Sequence, residues 1–183
     1  MKAQPTLKTK RLILRPYTLK DSKRVQLLAG DKEIARTTLL IPHPYADGEA
    51  EKWISTHKSS FEAKESVTFA IVSKESNLLI GGIGLTLSLN HERAEMGYWL
   101  GKEFWNQGFT SEAGKALLDY GFSEFKLNRI DAHHFHNNPS SGKVLQKIGM
   151  KYEGRQAQYI KKWGKFLDIL MYGILRVDWE KSK

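Results

Sequence analysis

The segment from residue 94 to residue 113 combines the features of an anion site at a helix start. A strand pattern leads into a short loop, and a helix pattern begins near Gly108. The first amides of a helix have no acceptor within the helix, and a glycine lets a ligand approach the backbone closely. No glutamate or glutamine follows Thr110 or Ser111 at the third position, so no capping box is expected. From the residues alone, an ordinary cap from Thr110 or Ser111 is the favoured interpretation, and a bound phosphate-type anion that satisfies the free amides is the alternative.

A second group of polar residues follows the next predicted strand. Asn128–Asp131 leads into that strand, Asn138-Pro-Ser-Ser141 follows it, and Val144–Gly149 continues as a helix pattern ended by a glycine. Asparagine is a favoured N-cap residue, and Asn138 stands at the expected cap position. An amide and the Ser141 hydroxyl are therefore expected together at the start of a second helix.

In this order, the segments resemble those of the GNAT acetyltransferases. The run from Trp105 to Thr110 is similar to the coenzyme A motif Q/R-x-x-G-x-G/A of that family, with Trp105 replacing Gln or Arg and Thr110 replacing Gly or Ala. Residues 138–149 are similar to its N-x-x-S and V-L-x-K-x-G elements, and the opening Thr9–Pro16 matches as well. With an aromatic residue at position 105, the motif resembles that of the branch that acetylates the N-terminal alanine or serine of ribosomal proteins. The resemblance covers nearly the whole chain.

The resemblance implies acetyl-coenzyme A as the co-substrate, and it assigns the parts of that molecule to particular residues. The pantetheine arm is expected along a strand beside Gly97, where neighbouring strands splay apart, and the pyrophosphate is expected at the helix start. Asn138 is expected either to hydrogen-bond the pantetheine or to cap its own helix. The residues expected to bind the cofactor are Tyr98, Trp99, Leu100, Asn106, Gln107, Gly108, Phe109, Thr110 and Asn138.

The chain contains no cysteine, which favours direct attack of an amine on the thioester over an acyl-cysteine intermediate. In the geometry of the family, Glu95 lies within reach of the thioester and is expected to act as the base. The alternative is a structural carboxylate that pairs with an arginine across the sheet. Many family members carry a tyrosine at the position of Leu145, so Ser141 is the expected donor to the leaving sulfur, or else an ordinary first-turn serine.

The acceptor is expected to be a primary amine, and a protein N-terminus makes the smallest demand on a base. At pH 7 a lysine amine is neutral in roughly one molecule in 2,500, whereas an α-amine is neutral in roughly one in ten. The resemblance points to the N-terminus of a ribosomal protein. A small amine of the polyamine or aminoglycoside type is the alternative, because a fold does not fix the acceptor.

The helices and strands that position these residues can be predicted from the hydrophobic periodicity of the sequence. Strands are predicted at residues 11–17, 67–73, 78–89, 94–100, 129–135, 151–160 and 166–175. Helices are predicted at about residues 18–29, 47–65, 108–125 and 138–148. This order predicts an α+β, GNAT-like fold with one mixed sheet of about seven strands flanked by about four helices. The length predicts a single domain over residues 1–183.

Bulk composition fits a soluble, cytoplasmic protein, with 40% apolar and 27% charged residues. Residues 1–12 lack the apolar core of a signal peptide, and the apolar stretch at residues 78–87 is too short to cross a bilayer. The net charge of +9 favours anionic partners, namely a phosphate-rich cofactor, an acidic protein or RNA. A non-catalytic RNA- or ribosome-binding module is a further alternative, although basic clusters interleaved with aromatic residues are missing. Neither a membrane nor DNA is an expected partner, and a homodimer stays open.

Three histidines lie close together in the sequence, at His133, His134 and His136. No second cluster supplies a carboxylate at a recognisable spacing, so no metal is expected. A histidine that lines the substrate cleft is the favoured interpretation.

Overall fold

The computed structural model describes residues 3–183, so residues 1 and 2 of the predicted domain lie outside the described part. Eight strands form within residues 3–183, namely β1 (Leu7–Lys8), β2 (Leu12–Pro16), β3 (Ser66–Ser73), β4 (Leu79–Ser88), β5 (Arg93–Leu100), β6 (Arg129–Phe135), β7 (Lys151–Lys162) and β8 (Lys165–Leu175). The same residues form seven α-helices, namely α1 (Ser22–Ala29), α2 (Lys32–Thr37), α3 (Glu49–Ser55), α4 (His57–Glu62), α5 (Phe109–Glu124), α6 (Pro139–Lys147) and α7 (Arg176–Lys181).

All eight strands belong to one mixed sheet in the order β1-β2-β3-β4-β5-β6-β8-β7. Neighbouring strands are antiparallel except for β5 and β6, which are parallel. A parallel connection requires a crossover, and α5 provides it. The sheet therefore consists of five strands that precede α5 and three that follow it.

Both faces of the sheet are buried because its middle strands are apolar on both sides. Alternate residues of a strand point to opposite faces, and in β3 the side chains of Phe69 and Ile71 join one hydrophobic cluster while Ala70 and Val72 join the other. Helices α5, α6 and α7 contribute to the first cluster, and α1, α2 and α3 contribute to the second. The sheet is thus a central layer between two layers of helices.

Helix α5 lies close to the sheet through a small residue. A Cβ at Gly121 would lie 2.9 Å from the Cδ1 atoms of both Ile130 and Leu85, so a larger side chain would push the helix away. The apolar residues Leu117 and Phe122 on the same helix are fully buried. Since the start of a closely packed helix has little freedom to move, the N-terminus of α5 holds a fixed position relative to β5.

All seven predicted strands are present, and the differences concern short elements. Strand β1 has two residues and pairs with β2 through Leu7 and Leu14, which is too short for periodicity to reveal. The helix predicted over residues 47–65 divides at Thr56 into α3 and α4. Helices α2 and α7 were not predicted, and each has six residues. Among residues 3–183, no helix has the length and apolar character needed to span a membrane.

Candidate active site

Strands β5 and β6 run side by side over three residue pairs and then separate. Their pairing ends at Glu95 and Asp131, whereas β5 continues along β4 to Leu100 and β6 continues along β8 to Phe135. Within residues 3–183, the edge of β5 after Glu95 has no strand beside it on the β6 side. Such an edge offers N–H and C=O groups to an extended ligand. We call this opening the splay cleft, and Gly97 lies on its wall, as the resemblance implies.

The loop between β5 and α5 brings the start of α5 to the end of this strand. Asn106 has φ 60° and Gly108 has φ 79°, a left-handed conformation that glycine adopts without strain. Gly108 is the N-cap of α5 and supplies no side-chain cap. The N–H of Glu112 donates to the carbonyl of Gly108 at 3.0 Å, so the three preceding amides lie ahead of the first helical hydrogen bond. Thr110 and Ser111 lie inside the helix, and the alternative that either residue is its N-cap is therefore wrong.

The departure from the family motif at Trp105 has a structural explanation. The indole Nε1–H of Trp105 donates to the carbonyl of Leu100 at 2.7 Å, so the side chain ties the loop to the end of β5. Arg11 fixes the loop from another side because its Nη1 donates to the carbonyl of Gln107 at 3.0 Å. The loop is thus held by side chains, while its backbone amides form the start of α5.

A basic groove lies beside this loop, although the sequence contains no basic run. Three cations, Lys10, Arg11 and Lys74, and one carboxylate, Glu75, line a cavity of about 360 Å³. The Arg11 guanidinium lies 4.4 Å from the centre of the Phe109 ring, which lines the same cavity. Arg11 also pairs with Glu112 at 2.7 Å. Burial raises the pKa of Glu112, but hydrogen bonds from a neighbouring threonine and from Arg11 outweigh burial and lower it. The sequence did not predict the groove, because Arg11 and Lys74 are far apart in sequence and become neighbours only when β2 pairs with β3.

Glu95 lies on the wall of the splay cleft with a histidine as its partner. Its Oε1 atom lies 3.3 Å from Nδ1 of His133 on β6, and about half of the Glu95 side chain is exposed. The predicted alternative paired Glu95 with an arginine, but Arg93 and Arg129 both pair with Asp131, at 3.4 and 3.3 Å. The buried Asp131 therefore takes the structural ion pairs, and Glu95 remains an exposed carboxylate beside an imidazole.

On the opposite side of the cleft, Ser141 forms a pair with a tyrosine hydroxyl. The Oη atom of Tyr98 lies 2.7 Å from Oγ of Ser141 and 3.2 Å from the Ser141 carbonyl. Burial raises the pKa of Tyr98 to about 12, with a smaller opposing effect of the hydrogen bond to Ser141. Leu145 is fully buried in the core, so no phenol is available from that position. The resemblance implied only that the backbone of Tyr98 pairs with the pantetheine arm. In the structure the hydroxyl of Tyr98 also contacts Ser141.

The other predicted cofactor residues line the cleft in different ways. Trp99 and Leu100 are buried, so only their backbone groups could meet a ligand, and the Leu100 carbonyl already accepts from Trp105. Asn138 is the N-cap residue of α6, but its side chain makes no capping hydrogen bond. That amide is therefore available for another partner, which favours the ligand role over a plain cap.

The three histidines have different surroundings. His133 faces Glu95, whereas His134 is buried and its Nδ1 lies 2.8 Å from the Phe135 carbonyl. His136 lies beyond the end of β6, and its Nδ1 accepts from the Asp168 amide at 3.2 Å. No group of three or more His, Cys, Asp or Glu within residues 3–183 could hold a metal ion.

The arrangement defines the class of the protein, and comparison with known sequences supplies the family. The model of the Acetyltransferase (GNAT) domain, Acetyltransf_3, matches residues 11–151. The chain therefore belongs to the GNAT acetyltransferase family and is an acetyl-transferring enzyme.

Two similar curated proteins span almost the whole chain. The uncharacterized N-acetyltransferase YoaA of Bacillus subtilis is 34% identical over 94% of this chain and 97% of its own length. The uncharacterized N-acetyltransferase p20 of Bacillus licheniformis is 32% identical over 95% and 98%. The putative ribosomal N-acetyltransferase YdaF of Bacillus subtilis is 34% identical over a shorter part, 57% of this chain and 58% of its own.

Solved structures share the architecture over most of the chain. A GNAT-family acetyltransferase from Bacillus anthracis superposes with a TM-score of 0.83 at 26% identity, over 93% of this chain and 98% of its own. RimL, a ribosomal L7/L12 alpha-N-protein acetyltransferase in complex with coenzyme A, gives 0.86 at 18% identity over 93% and 98%. A chimera of the spermidine N-acetyltransferase SpeG from Vibrio cholerae and hSSAT gives 0.77 at 20% identity over 94% and 99%. The last two likenesses concern the fold alone.

Proposed function

We propose that this enzyme transfers the acetyl group of acetyl-CoA to the α-amine of a protein N-terminus by direct attack of the amine. The observation that carries the proposal is the splay cleft, which opens beside Glu95 and continues to the uncapped start of α5. An extended thioester fits an unpaired strand edge, and a pyrophosphate fits a helix start.

The residues around the cleft fit coenzyme A in charge as well as in shape. The amides of residues 106–110 would hold the pyrophosphate, and the backbone of Tyr98, Trp99 and Leu100 would pair with the pantetheine amides. The side-chain amide of Asn138 would reach the same arm. Lys10, Arg11 and Lys74 in the basic groove add positive charge next to the phosphate position, which favours a ligand with several phosphates. RimL provides a precedent, since that protein was solved with coenzyme A.

Glu95 and Ser141 would handle the two ends of the reaction from opposite walls of the cleft. Glu95 would take a proton from the attacking amine, directly or through water, with His133 holding the carboxylate in place. A Cβ at Gly97 would meet no described atom within 4 Å, so the space over this residue, two positions beyond Glu95, is open. Ser141 would donate a hydrogen bond to the leaving sulfur.

The choice of acceptor depends on charge and on relatives. The protein carries a net charge of +9, which repels a polyamine and attracts an acidic protein. YdaF and RimL are described as ribosomal acetyltransferases, whereas the SpeG chimera is described as a spermidine acetyltransferase. A small amine is therefore the second candidate acceptor. A non-catalytic RNA- or ribosome-binding role is not proposed, because the chain belongs to a family of acetyltransferases. A cytoplasmic location is part of the proposal, and a homodimer stays a prediction.

A comparison of the initial rates with three separate acceptors tests the proposal. The enzyme is incubated with acetyl-CoA and one of three acceptors, namely an acidic peptide with a free N-terminal serine or alanine, the same peptide with a blocked N-terminus and one internal lysine, or spermidine. Products are identified by mass spectrometry. We expect acetylation of the free N-terminus at the highest kcat/KM. Faster turnover of spermidine would replace the protein acceptor with a small amine.

A further inference from the structure

Tyr98 occupies a special place on the wall of the splay cleft. It lies three residues beyond Glu95, the last residue of β5 that pairs with β6. The tyrosine side chain leaves β5 and meets the first turn of α6, so it spans the opening between the two halves of the sheet. Ser141, its partner there, is held in a turn by its own N–H, which donates to the Asn138 carbonyl at 3.1 Å.

The direction of the hydrogen bond between the two hydroxyls decides what Ser141 can do. A serine hydroxyl has one proton, so a serine that donates to Tyr98 has none left for a ligand. The Tyr98 hydroxyl proton has two acceptors within reach, Oγ of Ser141 at 2.7 Å and the Ser141 carbonyl at 3.2 Å. Burial raises the pKa of Tyr98 to about 12, so the phenol keeps its proton at neutral pH. The shorter of these contacts, the one to Oγ, lets Tyr98 donate to Ser141, and in that arrangement the Ser141 proton is free for a ligand.

We propose that Tyr98 is a positioning residue that orients the Ser141 hydroxyl proton toward the sulfur of the departing coenzyme A. The inference rests on the proposed function, in which Ser141 serves the leaving group. A donated hydrogen bond also polarises the serine hydroxyl and strengthens the bond that it makes in turn. Many relatives carry a tyrosine at the position of Leu145 on α6. In this protein the hydroxyl of Tyr98, on β5, would take over the function of that tyrosine.

In the proposed reaction the leaving sulfur needs only a hydrogen bond from a hydroxyl group and no proton from a stronger acid. The amine nitrogen bonds to the acetyl carbon, the carbon–sulfur bond breaks, and its electron pair leaves on sulfur. Ser141 donates a hydrogen bond to that sulfur while Tyr98 donates to Ser141. The proton lost by the amine passes to Glu95 or to water, and the thiolate later takes a proton from solvent.

The first test is a double-mutant cycle, measured in single turnover. Tyr98→Phe removes one oxygen atom and should lower the rate about 2- to 12-fold, with the KM for acetyl-CoA unchanged. In a Ser141→Ala background the same substitution should have no further effect. Tyr120→Phe is the matched control and should keep the wild-type rate, because burial also raises the pKa of Tyr120 to about 12 and its ring packs against Phe69 of β3. Equal losses in both backgrounds would overturn the inference, since Tyr98 would then act without Ser141.

The second test needs no acceptor amine. A hydrogen bond to sulfur favours the thiolate, and a free thiol ionises near pH ~8.5, so coenzyme A should bind the wild-type protein more tightly as pH rises toward that value. Desulfo-coenzyme A should lack this pH dependence. Ser141→Ala should remove this pH dependence and Tyr98→Phe should weaken it, measured by calorimetry at several pH values. A wild-type pH profile in Tyr98→Phe would refute the positioning role. Flattening without acetyl transfer to any amine would refute only the proposed function.

Discussion

Glu95 differs from Asp131, its neighbour in the sheet register, in exposure and in the kind of partner. Asp131 is buried and accepts from Arg93 and Arg129, as expected of a carboxylate that stabilises the fold. Glu95 is half exposed and faces the imidazole of His133. An exposed carboxylate that no arginine engages can be reached by a substrate amine, as a general base requires.

Replacing Glu95 by glutamine tests the role of this carboxylate as a base. Glu95→Gln keeps the shape of the side chain and should lower the rate at neutral pH by roughly ten- to a thousandfold. Affinity for acetyl-CoA should stay the same. Raising the pH should recover much of the loss, because more of the amine is then neutral without help. The measurement is a pH–rate profile beside wild type.

Glu62→Gln serves as the control, because Glu62 lies at the end of α4 and its nearest cation, Lys58, is 4.0 Å away. This variant should have the wild-type profile. If the profile of Glu95→Gln also coincides with wild type, solvent takes the proton and Glu95 has a structural role.

At the level of elements, the start of α5 depends on one glycine. Gly108 has φ 79° and ends the loop that Trp105 and Arg11 hold. A Cβ at Gly108 would lie 3.5 Å from the Arg11 guanidinium, an ordinary contact. The cost of a larger residue is therefore mainly backbone strain, about 1–2 kcal/mol for a left-handed residue, together with steric obstruction of the helix start.

Thermal unfolding with two ligands distinguishes the backbone strain caused by Gly108→Val from its effect on ligand binding. Acetyl-CoA should raise the Tm of wild type by mass action, and S-acetylpantetheine, which lacks the pyrophosphate, should raise it much less. Gly108→Val should lose the response to acetyl-CoA. Gly164→Val introduces valine at φ 77° on the β7–β8 turn, where a Cβ would meet no described atom within 4 Å, and it should keep the full response. Equal shifts from both ligands in wild type would contradict the pyrophosphate assignment.

The long elements were predictable because each carries its own pattern. Helix α5 shows helical periodicity through Ala113, Ala116, Leu117 and Tyr120, and the strands are short apolar or alternating runs bounded by turn residues. The helix start at Gly108 was recognisable from a local motif. The Tyr98–Ser141 pair and the partner of Glu95 were not, because each joins segments that lie far apart in sequence and meet only after the strands take their places. Local sequence specifies elements, whereas tertiary packing decides which side chains meet.

At the scale of the whole molecule, charge is the dominant property. The net charge of +9 produces a field that attracts acidic acceptors over distances comparable to the Debye length, about 8–10 Å near physiological ionic strength. The basic groove concentrates part of this charge beside α5. The field therefore acts on the cofactor and on the acceptor, and an experiment must separate the two.

Salt dependence at saturating acetyl-CoA isolates the effect on the acceptor. The kcat/KM for an acidic peptide with a free N-terminus should fall as salt is raised, because screening weakens the steering of the peptide. A neutral peptide with the same first residues should show a much smaller change. Identical salt dependence for the two peptides would remove the argument from charge for an acidic protein acceptor.

The short contact between β5 and β6 has a mechanical consequence. Three residue pairs at about 3.3 Å per residue form a seam of roughly 10 Å between a plate of five strands and a plate of three. The splay cleft continues the line of this seam, so a change in the angle between the two groups of strands within the sheet, pivoting on the seam, would change the width of the cleft. The Tyr98–Ser141 hydrogen bond joins β5 to the start of α6 across the cleft and would limit such a change. In the proposed function, the angle between the two groups of strands would therefore set the fit of the pantetheine arm.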